Sequence, residues 1–218
     1  MTVDEGLAVV LLQTTLYDSA QASWRSSVEA FNQSAGLSSC VNALETECEN
    51  NALLFLHGHQ KIVDKAQREL GSLPGLQLSV SLEPDAGYGW WHRGPMTNLQ
   101  GMLLTVFSMR FPESQARDRF IEATRSHSHY CWDNEPDTQV YGLGKVSGKT
   151  IGEYAINQGD LIVVMICTDE EAQDKHRNDP RHLKLGTQIA ELGIEVKNTF
   201  AKTYQLSGHG FLGLIEHE

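Results

Sequence analysis

The stretch Gly6-Leu-Ala-Val-Val-Leu-Leu-Gln13 resembles Gly101-Met-Leu-Leu-Thr-Val-Phe-Ser108, which begins 95 residues later. Two further pairs of segments keep the same order, at offsets of 108 and 118 residues: Ala52–His57 with Asp160–Met165, and Leu76–Val80 with Ile194–Asn198. Apolar strands often resemble one another by chance, so the shared order of elements is stronger evidence than residue identity. The sequence therefore predicts two copies of one unit. The offset between paired segments increases along the chain, so insertions are expected in the loops of the second copy.

Each copy is expected to form a strand, a helix, one or two strands, a second helix and a last strand. Continuous apolar runs such as Leu7–Gln13 and Leu161–Cys167 are typical of buried strands, and Leu76–Leu82 alternates apolar with polar residues. The remaining predicted strands are Ala52–His57, Met102–Phe111, Gln139–Val146 and Ile194–Phe200, with the glycine-rich stretch Gly208–Gly213 as a tail.

Two β-α-β-β-α-β units predict ferredoxin-like halves, and therefore an α+β protein. Helices cover one face of each antiparallel sheet, so the bare faces are expected to bury each other. The result would be a dimeric α+β barrel formed within one chain. The predicted organisation is a divergent ferredoxin-like repeat over residues 1–86, an aromatic linker over 87–100 and a second repeat over 101–218 that carries the site.

Composition excludes several classes of protein. The chain has 218 residues, enough for a core without disulfides. With 17 basic and 28 acidic residues its net charge is −11, which argues against nucleic acid or an anionic membrane as the partner. A small-molecule substrate fits better, and a homodimer of fused barrels stays open.

The N-terminus predicts a cytoplasmic protein. Met1–Gly6 is acidic where a signal peptide needs positive charge, and the apolar run Leu7–Leu12 is too short to cross a bilayer. The four cysteines have no Cys-x-x-Cys spacing, so free thiols in a reducing compartment are expected. No histidines sit beside paired cysteines in the sequence, so no metal site is predicted.

The second copy resembles the antibiotic biosynthesis monooxygenase (ABM) domain. The resemblance rests on the turn Asn134-Glu-Pro-Asp-Thr-Gln-Val-Tyr-Gly142, on the helix start Thr168-Asp-Glu-Glu-Ala-Gln-Asp-Lys-His176, and on Asp179-Pro-Arg-His182. It covers roughly residues 100–205. The first copy carries almost none of these residues, and its assignment rests on the repeat.

The resemblance implies a cofactor-independent monooxygenase that oxidises an electron-rich, polyketide-like phenol in secondary metabolism, with molecular oxygen as co-substrate. The alternatives are a redox-neutral decarboxylase, cyclase or isomerase, and a non-catalytic small-molecule-binding, stress-type barrel. Haem-degrading relatives place a Trp at the end of the strand before the histidine-bearing helix. This sequence has no Trp after Trp132, which argues against haem degradation.

The expected catalytic residues lie in a polar, aromatic stretch after the first helix of the second copy, and on the helix after Thr168. A phenolate needs fixed hydrogen-bond donors and a flat apolar wall. The predicted base is His176 or His129, the wall is Trp132, and the donors are Tyr130 and Asn134. For this stretch, a surface loop is the alternative, and for His176 it is a hydrogen bond that supports the fold.

Four further side chains are predicted to bind substrate: Tyr141, Trp90, Trp91 and His182. Core packing is an alternative for Tyr141. For Trp90 and Trp91 the favoured interpretation is that they fill the space between the two halves, because large aromatic residues usually mark burial.

Two features of the first copy are assigned no function. His57 and His59 could share one face of a strand and bind metal, yet the sequence shows no third ligand. Glu45, Glu47 and Glu49 are expected to form a solvated acidic loop.

Overall fold

The structure, a computed structural model, describes residues 7–16, 18–48, 50–72, 75–84, 89–148, 150–152 and 154–215. The expectations for residues 1–6 and for Glu49 lie outside these ranges. Among the described residues, no helix combines the length and apolar character needed to cross a membrane.

The N-terminal half contains four strands and two helices in the predicted order. They are β1 (Leu7–Thr15), α1 (Asp18–Asn32), β2 (Leu37–Glu45), β3 (Asn51–His59), α2 (Gln60–Leu70) and β4 (Leu76–Glu83). The apolar runs of β1 and β3 are buried on both faces, as expected for strands between a barrel interior and a helical layer.

The C-terminal half repeats this plan with additions. Its elements are β5 (Trp90–His92), β6 (Leu103–Arg110), α3 (Ser114–Asn134), β7 (Thr138–Val146), β8 (Ile151–Gly152), β9 (Leu161–Cys167), α4 (Glu170–Asn178), α5 (Pro180–Glu191) and β10 (Lys197–Leu212). The second helix of the unit is therefore split into α4 and α5 at Asp179, where Pro180 starts a new helix.

All strands belong to one antiparallel sheet in the order β5-β7-β9-β6-β10-β2-β3-β1-β4-β8, and an additional pairing of β4 with β7 closes eight of them into a barrel. Within each half the order is that of a ferredoxin-like unit, with the first and third strands central. The predicted α+β fold, a two-repeat barrel within one chain, is confirmed.

The halves are joined by exchanging strands. The last strand of each half pairs with the second strand of the other, β10 with β2 and β4 with β7. The β10–β2 contact runs from Tyr204 opposite Glu45 to Leu212 opposite Ser39. The β4–β7 contact has only two residue pairs, and β5 continues it further along β7.

The tryptophans of the predicted linker therefore form a strand of the sheet. Trp90 points into the barrel and packs with the interior cluster, whereas Trp91 points outwards to the helical layer and is fully buried. Trp90 lies opposite Gly142 on β7. A Cβ atom on Gly142 would come within 2.3 Å of the Trp90 ring, so glycine is required there by close packing.

Several expectations about elements were wrong. The sequence did not predict β2, whose last residue, Glu45, is buried, accepts a hydrogen bond from Asn51 at 2.8 Å and forms an ion pair with Lys202. Of the supposed acidic loop, Glu47 is exposed.

Two element boundaries also differ from expectation. The residues Gly208–Gly213 are not a tail, because β10 continues through them to Leu212 and completes the edge of β2. Helix α3 continues to Asn134 and includes the polar, aromatic stretch that the sequence places after the helix. The polar, aromatic stretch is therefore helical and not a loop.

The barrel interior holds two histidines at one end. His57 lies 5.1 Å from His92 between ring centroids, and Ser39 and Trp90 each hydrogen-bond a nitrogen of His92. Both ring nitrogens of His57 are buried and have no hydrogen-bond partner among the residues described above. Burial lowers the pKa of His57 to about 4, while His59 is exposed, so the two do not form a metal-binding pair.

The close packing of Trp90 on Gly142 gives a stability prediction. We expect Gly142→Ala to lower the free energy of unfolding by about 1–3 kcal/mol, because the added methyl overlaps the indole. Gly148→Ala is the matched control, since a Cβ there meets no atom within 4 Å. Chemical denaturation of both variants measures the difference, and equal stability would contradict the described packing.

The buried histidines give a pH prediction. His57 folds in its neutral form, so the unfolded chain takes up its proton as the pH falls below about 6.5 while the folded chain does not. Stability is full above that pH and falls by up to about 3 kcal/mol as the pH approaches 4. Burial and the neighbouring His57 also lower the pKa of His92, which adds in the same direction.

Urea denaturation between pH 7.5 and pH 4 measures this loss. In His57→Gln the slope of stability against pH should be smaller than in the parent protein, whereas the exposed His209→Gln should keep the parent slope. Parallel slopes in all three proteins would show that His57 does not titrate in this way.

Candidate functional site

The candidate site is a buried polar cluster between the helices and the sheet of the C-terminal half. Its members are His127 and Cys131 of α3, Glu135 just after α3, His176 of α4 and His182 of α5. In the N-terminal half the equivalent layer, under α1 and α2, is an apolar cluster. Polar side chains in such a layer cost stability unless they are paired. This difference between the halves therefore favours a functional role for the layer of the C-terminal half.

The length of α3 brings three of these residues to one face. His127, Cys131 and Glu135 are four residues apart, so successive turns of the helix and its C-cap stack them in a row. His127 and Cys131 are buried. The row faces α4 and α5, which supply the other two histidines.

Glu135 and His176 form the central pair. Nδ1 of His176 lies 2.8 Å from Oε2 of Glu135, and the hydroxyl of Thr138 donates to the same oxygen at 3.0 Å. Burial opposes ionisation of Glu135, but the hydrogen bond and charge of His176, with the Thr138 hydrogen bond, outweigh it and lower the carboxyl pKa. Within the part of the chain that the structure describes, the buried Oε1 of Glu135 has no hydrogen-bond partner.

The other side of the cluster joins two histidines and a thiol. Nε2 of His127 lies 3.2 Å from Nδ1 of His182 and 3.6 Å from Sγ of Cys131, and that sulfur lies 3.9 Å from Nδ1 of His176. Burial, with the nearby charges of His176 and His182, lowers the pKa of His127 to about 4. Burial and the Glu135 carboxylate raise the pKa of the Cys131 thiol. At neutral pH, His127 is therefore an uncharged imidazole and Cys131 a thiol.

Tyr141 forms the floor of the cluster on the sheet side. Its ring lies 5.8 Å from that of His127 and 5.9 Å from that of His176, and it stacks on Trp91 at 6.2 Å. Behind it, Trp91 meets Trp132 edge to face at 5.2 Å. The tryptophans thus support Tyr141, which contacts the histidines directly.

The predicted site residues fall into three groups. His176, His182 and Tyr141 meet in the cluster, and Tyr130 stacks on His127 from the α5 side. Trp91 and Trp132 lie behind Tyr141, and Trp90 lies inside the barrel. His129 and Asn134 are exposed on α3, so the structure does not bring them to the cluster.

Sequence reasoning gave no role to His127, Cys131 and Glu135. The signal was their four-residue spacing, which places side chains on one face only if the segment is helical. The sequence predicts that the helix ends before this segment, so the four-residue spacing did not indicate that these side chains share a face.

Aspartates cap the two helices that carry the histidines of the second helical layer. Asp169 caps α4 by accepting a hydrogen bond from the backbone N–H of Ala172 at 2.8 Å. Asp179 caps α5 through the N–H groups of Arg181 and His182, which fixes the start of the helix that carries His182.

The cluster borders two open spaces. A cavity of about 140 Å³ between α3 and α5 is lined in part by His127 and Tyr130. A wider groove of about 940 Å³ runs over the outer faces of β6 and β10 and reaches Gln173, one helical turn before His176. A third space, of about 250 Å³, lies in the N-terminal half beside Trp24.

The donor atoms can also accommodate an ion. One ligand atom each from His127, Cys131 and His176 lie within 4.8 Å of one another. This arrangement comes from three separate helical positions and has no counterpart in the sequence motifs for metal binding.

Comparisons with known proteins show the fold. No protein-family model and no curated protein matches the sequence. Among solved structures, a candidate monooxygenase from Lactobacillus acidophilus NCFM is similar with a TM-score of 0.72 and 12% identity, covering 97% of this chain and 99% of that one. An anthrone oxidase-like protein is similar with a TM-score of 0.57 and 14% identity, covering 95% and 93%.

A third similar structure is of a protein described as related to the ABM family, which the second copy resembles in sequence. An uncharacterized ferredoxin fold protein related to antibiotic biosynthesis monooxygenases, from Listeria monocytogenes 4b F2365, has a TM-score of 0.53 and 10% identity, covering 94% of this chain and 98% of that one. The chain therefore has an ABM-type ferredoxin fold, with two ferredoxin-like halves closed into one barrel.

Proposed function

We propose that the protein is an oxygenase that oxidises an aromatic, polyketide-like phenol with molecular oxygen, and that it uses no metal or organic cofactor in the reaction. The observation that carries this proposal is the buried pair of His176 and Glu135 in contact distance of Tyr141. The similar structures described as a candidate monooxygenase and as an anthrone oxidase-like protein support the reaction class.

The pair is suited to remove a phenolic proton. A carboxylate that accepts the N–H of Nδ1 fixes the imidazole in the tautomer with its lone pair on Nε2, which makes that nitrogen the base. In the proposed reaction Nε2 of His176 takes the proton, and the electron-rich anion reacts with O₂. One oxygen atom enters the product as a carbonyl and the other leaves as water.

Two predicted roles pass to other residues in this proposal. The hydroxyl of Tyr130 donates to Asp179 at 2.8 Å, so it is a poor donor for a phenolate. Trp132 lies behind Trp91, so Tyr141 is the better flat wall. His127, uncharged at neutral pH, can donate one N–H to the substrate oxygen, as neutral imidazoles do in other oxyanion sites.

The groove beside Gln173 is the space that suits a polycyclic substrate. Pockets for ligands of that size are about 300–1,000 Å³, which the groove meets and the α3–α5 cavity does not. Phe107 and Leu103 supply apolar surface, and Gln173, one helical turn before His176, donates a hydrogen bond to Thr105 in the lining of the groove. We propose that substrate displaces this hydrogen bond.

A non-catalytic binding barrel is the second candidate. The observation that favours it is the dense packing of the cluster, in which His176 is only 7% exposed. A binder would take up the aromatic ligand unchanged, with or without oxygen.

Oxygen uptake with anthrone as the substrate tests the proposal. We expect turnover that stops without O₂ and falls by about 10²–10⁴-fold in His176→Gln, because the base is lost. The control His209→Gln removes an exposed histidine of β10 and should keep parental turnover. Product formation that continues without oxygen would show that the reaction is redox-neutral and not an oxygenation. Full activity in His176→Gln would reject this site, and binding without turnover would favour the non-catalytic barrel.

A further inference from the structure

We propose that the cluster of the C-terminal half is a binding site for a divalent transition-metal ion of the zinc type, with His127, Cys131, His176 and His182 as its ligands. The inference concerns metal binding and stands apart from the proposed oxygenation, although it has a consequence for that reaction.

The distances between the donor atoms fit tetrahedral coordination. With metal–nitrogen and metal–sulfur bonds of about 2.05 and 2.3 Å, a tetrahedral ion needs about 3.3 Å between two nitrogens and about 3.6 Å between nitrogen and sulfur. Nε2 of His127 lies 3.2 Å from Nδ1 of His182 and 3.6 Å from Sγ of Cys131. Sγ of Cys131 lies 3.9 Å from Nδ1 of His176, slightly more than the tetrahedral value, and one ligand atom each of His127, Cys131 and His176 lies within 4.8 Å of the other two.

The type of donor selects the ion. Imidazole nitrogen with a cysteine sulfur favours zinc and related ions over magnesium or calcium, which prefer oxygen ligands. The ligands come from three helices that meet only in the folded protein, so the unfolded chain has no preformed site.

A buried carboxylate oxygen is a second, independent observation that fits a bound cation. Among the described residues, Oε1 of Glu135 has no hydrogen-bond partner although it is buried, which is costly for a charged group. A divalent ion beside one thiolate and the Glu135 carboxylate would bring the formal charge of the buried site to zero. The ion would thus neutralise the charge of the Glu135 carboxylate, for which the described side chains provide hydrogen bonds to one oxygen only.

Proton balance follows from the protonation state of the ligands. His127 is neutral and ligates through a lone pair without losing a proton. Cys131 must lose the proton of its S–H bond to bind the metal, and that proton leaves to buffer. Coordination of Nδ1 of His176 replaces its hydrogen bond to Glu135 and leaves the ring proton on Nε2.

This last step connects the ion to the proposed reaction. With the metal on Nδ1, Nε2 carries the proton and can no longer act as a base. A bound ion would therefore inhibit the oxygenation and would make the site responsive to metal supply.

Binding of Co²⁺ and Zn²⁺ to the full-length, chelator-treated protein tests the site directly. We expect one ion per chain, with the near-ultraviolet absorption of a cobalt–thiolate bond and the visible bands of a tetrahedral cobalt centre, both displaced by Zn²⁺. Isothermal titration in buffers of different ionisation enthalpy should report proton release on binding, because the Cys131 thiol must lose its proton.

Matched variants show whether these residues are the ligands. Cys131→Ser should abolish the thiolate band, and His127→Gln should weaken Co²⁺ binding at least about tenfold. Cys48→Ser, which changes an exposed cysteine, and His209→Gln should bind as the parent protein does. Circular dichroism of each variant establishes that it is folded, and Cys131→Ala provides a second variant if serine disturbs the layer.

No saturable cobalt or zinc binding, or the same binding in Cys131→Ser and Cys131→Ala as in the parent protein, would overturn the proposal. Neither measurement involves turnover, so failure of the metal site leaves the oxygenation test unaffected. Conversely, oxygen uptake measured with chelator present tests the oxygenase with no ion in the site.

Discussion

The structure depends on the exchange of last strands between its two halves. A ferredoxin-like unit covers one sheet face with helices and leaves the other bare, and that apolar face cannot remain in water. Pairing β10 with β2, and β4 with β7, rolls both sheets into one barrel and buries both bare faces at once. The helical layers, including the candidate site, are held on the outside of this closed sheet.

The two junctions are chemically unequal although they occupy equivalent positions. At one, the single strand β10 runs along β6 and then along β2. At the other, the same path along β7 is divided between β4 and β5. Trp91 opposite Tyr141 is the counterpart of Phe211 opposite Cys40. The aromatic segment between the repeats is thus the second part of an interrupted strand.

The sequence predicted the repeat, the strand class of most apolar runs and the closed barrel, because these follow from periodicity and from the need to cover sheet faces. It did not predict β2, whose polar and small residues Ser38, Ser39 and Asn42 hide its alternation. It did not predict β5 either, because a strand of three residues has no period to detect. Of the residues around the candidate cluster, His176 and Tyr141 lie in segments whose helix or strand type the sequence predicts, whereas His127, Cys131 and Glu135 become neighbours only through the full length of α3.

The position of β10 at the end of the chain has a consequence for biosynthesis. Until residues 204–212 have been made, the free edge of β2 has no partner strand, and an open edge can pair with other chains. At usual rates of synthesis, the interval between the completion of β4 and that of β10 is on the order of 10 s. The sheet of the N-terminal half is therefore complete only after the last strand of the C-terminal half has been made. A chain truncated before β10 would leave both halves with an unpaired edge open to aggregation.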